Sequence, residues 1–136
     1  MDIFIFVSEQ WLLISVLMGL IYLFAWSERT KGGKPITAHE LITMMNADTA
    51  VLVDVRPANE FQAGHIHGAI NIPHNKVEGR MAELEKSRNK ILVMADNMGQ
   101  HAGSAGRKFT KEGYNVRRLS GGMGEWKAES MPVVKD

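Results

Sequence analysis

The chain has 136 residues, of which 45% are apolar and 23% are charged, and its net charge is +1 at pH 7. These values suit one globular domain with a modest core. Both signs of charge are mixed, which argues against the clustered basic face that nucleic-acid binding requires. The chain contains no cysteine, so disulfides, thiolate catalysis and cysteine-ligated metals are excluded together.

The N-terminal segment departs from this ordinary composition, because residues 11–26 carry no charge and follow the apolar residues 3–7. As a helix, residues 3–26 would be about 36 Å long. A helix of this length crosses a hydrocarbon core of about 30 Å with some tilt. The sequence therefore predicts a transmembrane helix within residues 1–27, with lipid contacts through residues 3–26.

Two other interpretations of this segment stay open, and the flanking charges predict its orientation. A cleaved signal peptide requires a basic start and a small-residue cleavage site, whereas the first charged residue is Asp2 and residues 24–27 read Phe-Ala-Trp-Ser. A helix that packs on a domain surface or lies at a membrane interface keeps a polar face, whereas this run is apolar on all faces. Arg29, Lys31 and Lys34 follow the segment and no Lys or Arg precedes it. The positive-inside rule thus predicts an outside N-terminus and a cytoplasmic domain.

A charged linker over residues 28–35, with two adjacent glycines, is expected to join the anchor to a domain over residues 36–136. A capping box at residues 37–40 predicts a helix that ends near Asn46. Four apolar runs beyond it predict strands, and helical patterns lie between them. The predicted strands are 51–55, 69–72, 91–95 and 116–119, and the predicted helical segments are 60–63, 81–86, 100–112 and 125–129. This alternation indicates an α/β fold with a parallel sheet covered on both faces.

The main functional signal follows the strand 91–95. The loop Asp96-Asn97-Met98-Gly99-Gln100-His101 lies at the carboxyl end of a strand and before a helix, where α/β proteins often place a nucleophile. A thiolate is the nucleophile that loop amides stabilise best. We expect the Asp96 carboxylate instead to accept hydrogen bonds from these amides and to repel anions. His101 is expected to be solvated or bonded to the loop.

Other candidate residues surround this loop. Asp54 and Arg56 end the strand 51–55 and could form an acid–base pair, although a structural ion pair is the simpler interpretation. His65 and His67 would share a face of an extended segment, but the sequence supplies no third metal ligand. Three glycines, Gly99, Gly103 and Gly106, lack the Lys-Ser/Thr of a phosphate loop and predict close packing of a helix on the sheet.

Several motifs in register resemble the rhodanese homology domain. They are Val53-Asp54-Val55-Arg56, Glu60-Phe61, residues 64–73, Asp96 with Gly99, Gly113-Tyr114, and Gly121-Gly122 with Trp126. The resemblance covers residues 36–130. With its predicted N-terminal anchor, the chain is similar to the small membrane-tethered rhodanese-like proteins of Gram-negative bacteria (the YibN group). This resemblance implies a five-stranded parallel sheet flanked by helices and a bacterial inner-membrane location.

The resemblance also implies what the loop has lost. Active members carry a cysteine at the position of Asp96, which takes a sulfane sulfur as a persulfide and passes it to an acceptor. Thiosulfate-using members often have Arg or Lys in this loop, whereas residues 97–101 carry no fixed cation. A carboxylate is a poor nucleophile toward divalent sulfur and forms no persulfide. In the family, a histidine at position 65 supports the loop after the first strand.

The sequence therefore predicts a membrane-tethered, catalytically inactive rhodanese-like domain that acts as a protein-binding or scaffolding module. No catalytic residue, metal or cofactor is expected. The expected partner is a membrane-associated protein, and nucleic acid is not expected. The alternative is a sulfurtransferase-related enzyme with residual thiosulfate or persulfide transfer, or another reaction of Asp96 and His101. A third interpretation is recognition of a small anion.

Overall fold

The computed structural model describes residues 2–30 and 32–135, and each range forms one compact unit. The first unit is a single helix, α1 (Ile3–Thr30). Its segment Ile3–Ser27 is long and apolar enough to cross a membrane, and none of its most apolar part is buried by protein. That exposure differs from the buried core helix of a soluble domain, which was one of the alternatives for this segment.

The second unit is an α/β domain built on one five-stranded sheet. Its strands are β1 (Lys34–Ile36), β2 (Ala50–Asp54), β3 (Ile70–Asn71), β4 (Ile91–Ala95) and β5 (Asn115–Leu119), and its α-helices are α2 (Ala38–Asn46), α3 (Ala58–Ala63), α4 (Val77–Arg80), α5 (Ala102–Lys111) and α6 (Gly122–Ala128). Short 3-10 helices cover His74–Lys76 and Met81–Ser87. The strand order is β1-β5-β4-β2-β3, and all pairings are parallel. The predicted α/β class and five-stranded parallel sheet are confirmed.

The central strands β2 and β4 are buried because helices cover both faces of the sheet. One apolar cluster surrounds Phe109 of α5, and the other surrounds Leu41 of α2 and Trp126 of α6. Successive residues of β4 alternate between the two clusters, which explains why its sequence is a continuous apolar run. The pairing of Asp54 with Ala95 makes the carboxyl ends of β2 and β4 level, so the loops that follow them are neighbours.

Several boundaries differ from the predicted ones. Helix α1 continues to Thr30, and β1 starts at Lys34, inside the predicted linker 28–35. The sequence of β1, Lys-Pro-Ile, contains no apolar run that would predict a strand. It is a strand because it pairs with β5 at three successive positions, beginning with Lys34 and Arg117. The predicted helical segment 81–86 is a 3-10 helix, and α5 begins at Ala102 rather than near residue 100.

Helix α5 approaches the backbone that precedes β1 very closely. A Cβ atom on Gly106 would collide with the carbonyl oxygen of Gly32, whereas a Cβ on Gly103 would meet nothing nearer than 4.0 Å. Gly99 lies in open space and has a φ of +94°, so its backbone conformation, rather than packing, favours glycine there. Of the three glycines predicted to pack on the sheet, only Gly106 lacks room for a side chain.

We expect Gly106→Ala to lower the free energy of unfolding by about 1–3 kcal/mol, because the added methyl group overpacks the contact with Gly32. Gly103→Ala is the matched control in the same helix. It has room for the methyl group and replaces a glycine in the first turn of the helix, so the free energy of unfolding should stay unchanged or rise by up to about 1 kcal/mol. Urea unfolding of the full chain in detergent, followed by far-UV circular dichroism, measures both. Equal stability of the two variants would contradict this contact.

Candidate functional site

The loop 96–101 joins the central strand β4 to α5, and its backbone amides converge on the Asp96 side chain. Asp96 is only 3% exposed. Its Oδ1 accepts a hydrogen bond from the N–H of Gly99, and its Oδ2 accepts from the N–H groups of His101 at 2.5 Å and Ala102 at 3.1 Å. These donors and the first turn of α5 stabilise negative charge. The carboxylate therefore fills the cradle that the loop forms, through the contacts that the sequence predicts.

The start of α6 fixes the same loop from its other side. The carbonyl oxygen of Asp96 accepts from the N–H of Met123 at 2.6 Å, and that of Asn97 accepts from the N–H of Gly124 at 2.9 Å. A Cβ atom on Gly122 would collide with the carbonyl oxygen of Asp96, and the φ of Gly122 is +60°. Glycine at this position thus permits the close approach of α6.

Asp54 and Arg56 form a buried ion pair at the neighbouring strand end. The Nη2 of Arg56 donates to the Asp54 carboxylate at 2.7 Å, with side chains 2% and 1% exposed, and the Nε donates to the same carboxylate. Nη2 also donates to the carbonyl oxygen of Gly64 at 2.9 Å. Removal of one charge would leave the other buried and uncompensated, which costs about 3–5 kcal/mol. These contacts are those of the structural pair that the sequence analysis favoured over an acid–base pair.

The side chain of Asn71 adds two hydrogen bonds beside this ion pair, and together these contacts form a frame around the end of β2. Its Nδ2 donates to the backbone carbonyl oxygens of Asp54 and Arg56, each at 3.0 Å. These hydrogen bonds join the end of β3 to the segment that follows β2. The frame holds the backbone beside the loop 96–101 in one conformation, and sequence motifs alone did not reveal the part of Asn71.

His65 is buried behind α3. Its Nδ1 lies 2.7 Å from the carbonyl oxygen of Phe61, and its ring stacks on the Phe61 ring with centroids 3.7 Å apart. Its backbone pairs with Val134 through two hydrogen bonds of 2.9 and 2.8 Å. His65 thus joins α3 to the C-terminal segment, whereas His67 is exposed. The described part of the chain contains no group of three His, Asp or Glu side chains that could hold a metal.

A pocket of about 330 Å³ lies beside the loop. It is lined by Arg56, Pro57, Glu60, His74, Asp96, Asn97, Met98, Gln100 and His101. The ring of His101 stacks on that of His74, with centroids 3.8 Å apart and an interplanar angle of 4°. Glu60 Oε2 accepts a hydrogen bond from Asn97 Nδ2 at 2.7 Å. The side chain of Met98 is 79% exposed at the loop tip.

Glu60 and His74 line the pocket, although neither is predicted as a site residue from the sequence. Glu60 was placed in a helical turn, and His74 follows a proline at the end of a strand, so neither carried a local signal for the site. Both reach the loop because the carboxyl ends of β2, β3 and β4 lie together in the sheet. His101 is exposed, and its ring stacks on that of His74. The hydrogen bond from His101 to the loop comes from its backbone N–H rather than from its side chain.

The charges around the pocket give it a negative balance. The positive charge of Arg56 is matched by Asp54 at 2.7 Å. Among the residues that the structure describes, no Lys or Arg forms a salt bridge with Asp96 or Glu60. An entering anion would meet two carboxylates and no unmatched cation in the pocket lining, so charge repulsion disfavours thiosulfate or phosphate there.

The chain is similar to curated proteins over most of its length. It is 33% identical to the uncharacterized protein YibN of Escherichia coli K12 over 104 residues, which cover 75% of this chain and 73% of YibN. It is 34% identical to the thiosulfate sulfurtransferase PspE of the same organism over 83 residues, covering 61% of this chain and 77% of PspE.

A relative with a different architecture matches the domain alone. The HTH-type transcriptional regulator Rv0324 of Mycobacterium tuberculosis is 42% identical over 98 residues, which cover 72% of this chain but only 43% of the regulator. This chain therefore spans less than half the length of that relative.

A solved structure and a family profile agree with these relatives. The rhodanese-related protein of Thermoplasma volcanium superposes with a TM-score of 0.68 at 28% identity, covering 76% of this chain and 99% of that protein. The profile described as Rhodanese-like domain matches residues 37–129. These residues contain all six motifs that carry the resemblance, including the loop whose first residue is Asp96. The chain belongs to the rhodanese-like domain family.

Proposed function

We propose that this chain is a membrane-tethered, catalytically inactive rhodanese-like protein that acts as a protein-binding or scaffolding module. The observation that carries the proposal is the contact of the Asp96 carboxylate with three loop amides. The group that occupies the cradle is part of the chain itself and does not leave during a reaction cycle. The loop thus keeps a fixed conformation without a group that accepts sulfur.

The chemistry of sulfur transfer supports the same proposal. A protein thiolate attacks the outer sulfur of thiosulfate, a sulfur–sulfur bond forms to the protein, and sulfite leaves with the electron pair of the broken bond. A carboxylate oxygen has no sulfur to which the transferred atom could be bonded as a persulfide. The chain has no cysteine, so no other thiol replaces the missing one.

A second candidate function is residual sulfur transfer. It is favoured by the relative PspE, which is named a thiosulfate sulfurtransferase, and by the open pocket beside the loop. The negative balance of that pocket argues against it, because thiosulfate carries two negative charges. Recognition of a small anion without turnover is disfavoured for the same reason.

The proposed location is a bacterial inner membrane, with a single span, the N-terminus outside and the domain in the cytoplasm. The length and apolarity of Ile3–Ser27 support the span, and Arg29, Lys31 and Lys34 after it support the orientation. A domain held at a membrane meets membrane-associated proteins at a raised effective concentration, so the proposed partner is such a protein.

We expect the full chain in detergent to release no sulfite from thiosulfate in the presence of a thiol acceptor, whereas Asp96→Cys should gain a persulfide. The cradle amides would then stabilise the thiolate and the persulfide anion. An intact-mass increase of one sulfur atom, measured before the acceptor is added, reports the persulfide, and sulfite release with the acceptor present reports turnover.

Ser104→Cys is the matched control for this gain, because it places a thiol on the exposed side of α5, outside the cradle. It should react far more slowly than Asp96→Cys. Repeated turnover by the unsubstituted chain would overturn the proposed function. Equal persulfide yield in the two cysteine variants would show that the cradle does not stabilise sulfur anions.

We expect the chain produced in a Gram-negative host to stay in the membrane pellet after alkaline extraction and to keep its full mass. Protease added to spheroplasts should leave the domain intact, whereas protease added to inverted inner-membrane vesicles should degrade it. Loss of the N-terminal segment from the mature chain would instead identify a cleaved signal peptide, and degradation in spheroplasts would reverse the orientation.

A further inference from the structure

We infer that the pocket beside the loop 96–101 receives the side chain of an arginine from a protein partner. This inference rests on the proposed function and names the chemical group that the binding module would recognise. Three properties of the pocket support it: its charge, its size and the two stacked histidines in its wall. Each property disfavours a different class of ligand.

The charge of the pocket selects a cation. Asp96 and Glu60 both line it, and the structure shows no Lys or Arg paired with either among the described residues. Asp96 is compensated by loop amides, but Glu60 is only half-buried and accepts one hydrogen bond, at Oε2, from Asn97. Its Oε1 has no partner in the described structure and is available to a donor from outside. A guanidinium supplies charged donors of this kind.

The wall of the pocket selects a planar cation. The rings of His74 and His101 stack nearly parallel at 4°, and both residues line the pocket, so aromatic surface is present in its wall. A guanidinium stacks on such surfaces and is more weakly hydrated than an ammonium group, so it enters a partly enclosed site more readily than lysine does. Arginine is therefore favoured over lysine here.

The size and the rim of the pocket select a single protein side chain. A volume of about 330 Å³ lies at the lower end of the range of ligand pockets. Met98 stands 79% exposed at the loop tip, where its flexible thioether can pack on the aliphatic stem of an arginine or on neighbouring apolar groups of the partner. Met and Arg are both enriched at protein–protein interfaces.

Binding of N-acetyl-arginine methylamide to the full chain in a non-ionic detergent tests the inference. Methyl-labelled methionine reports the contact by NMR, with the Met98 signal assigned through Met98→Leu. We expect this signal to shift with a dissociation constant of about 1–10 mM, a range suited to one side chain. The lysine derivative and the uncharged citrulline derivative should each bind at least about threefold more weakly.

Two glutamate variants separate the pocket from general surface charge. Glu60→Gln keeps an acceptor for Asn97 but removes the charge, and it should weaken arginine binding by about fivefold or more. Glu83→Gln makes the same change at an exposed residue that pairs with Arg80 and does not line the pocket, so binding should be unchanged. An equal effect of the two variants would overturn the inference.

Thiosulfate is the second probe, and it separates this inference from the proposed function. If thiosulfate shifts the Met98 signal at lower concentration than the arginine derivative and is not consumed, the pocket selects anions and the inference fails, while the proposed function stands. Release of sulfite would overturn the proposed function itself. Equal binding of arginine and citrulline derivatives, or no shift of Met98 at 50-fold the highest expected dissociation constant, about 0.5 M, would also overturn the inference.

Discussion

The conformation of the loop 96–101 depends on the three backbone N–H groups that bind the Asp96 carboxylate. Converging amides stabilise negative charge at one point, and in this loop that charge belongs to the chain itself. The start of α6 holds the same segment through the carbonyl oxygens of Asp96 and Asn97. The loop is therefore bonded on both sides, and its conformation does not depend on a bound anion. The loop keeps this conformation in a chain that contains no cysteine.

The sheet supplies the frame for this loop. Parallel pairing brings the ends of β2 and β4 to one level, and the buried pair of Asp54 and Arg56 fixes the connection that follows β2. Arg56 also reaches the carbonyl oxygen of Gly64, while Asn71 ties in the end of β3. Buried charges contribute geometry more reliably than stability, because desolvation offsets most of their attraction. The pair positions the pocket wall and leaves no unmatched cation for an anionic substrate.

The sequence predicted what depends on local chemistry and missed what depends on pairing over long distances. The runs that form β2 and β4 are continuous and apolar because both faces are covered, and the Asp96 contacts lie within six residues. Strand β1 carries no such pattern, since Lys-Pro-Ile becomes a strand only beside β5. The stack of His74 on His101 likewise joins two loops that the sheet brings together, and no spacing in the sequence encodes it.

The residue at position 96 affects both the chemistry of the loop and the charge of the pocket beside it. A thiolate that cycles through a persulfide needs a pocket that admits anions, whereas a permanent carboxylate beside Glu60 disfavours them. The same carboxylates attract cations, and the exposed Met98 adds an adaptable apolar contact. A contact made by one side chain is weak in free solution. The proposed tethering of this chain and its partner to one membrane would raise the effective concentration, and a weak contact would then contribute more to recognition.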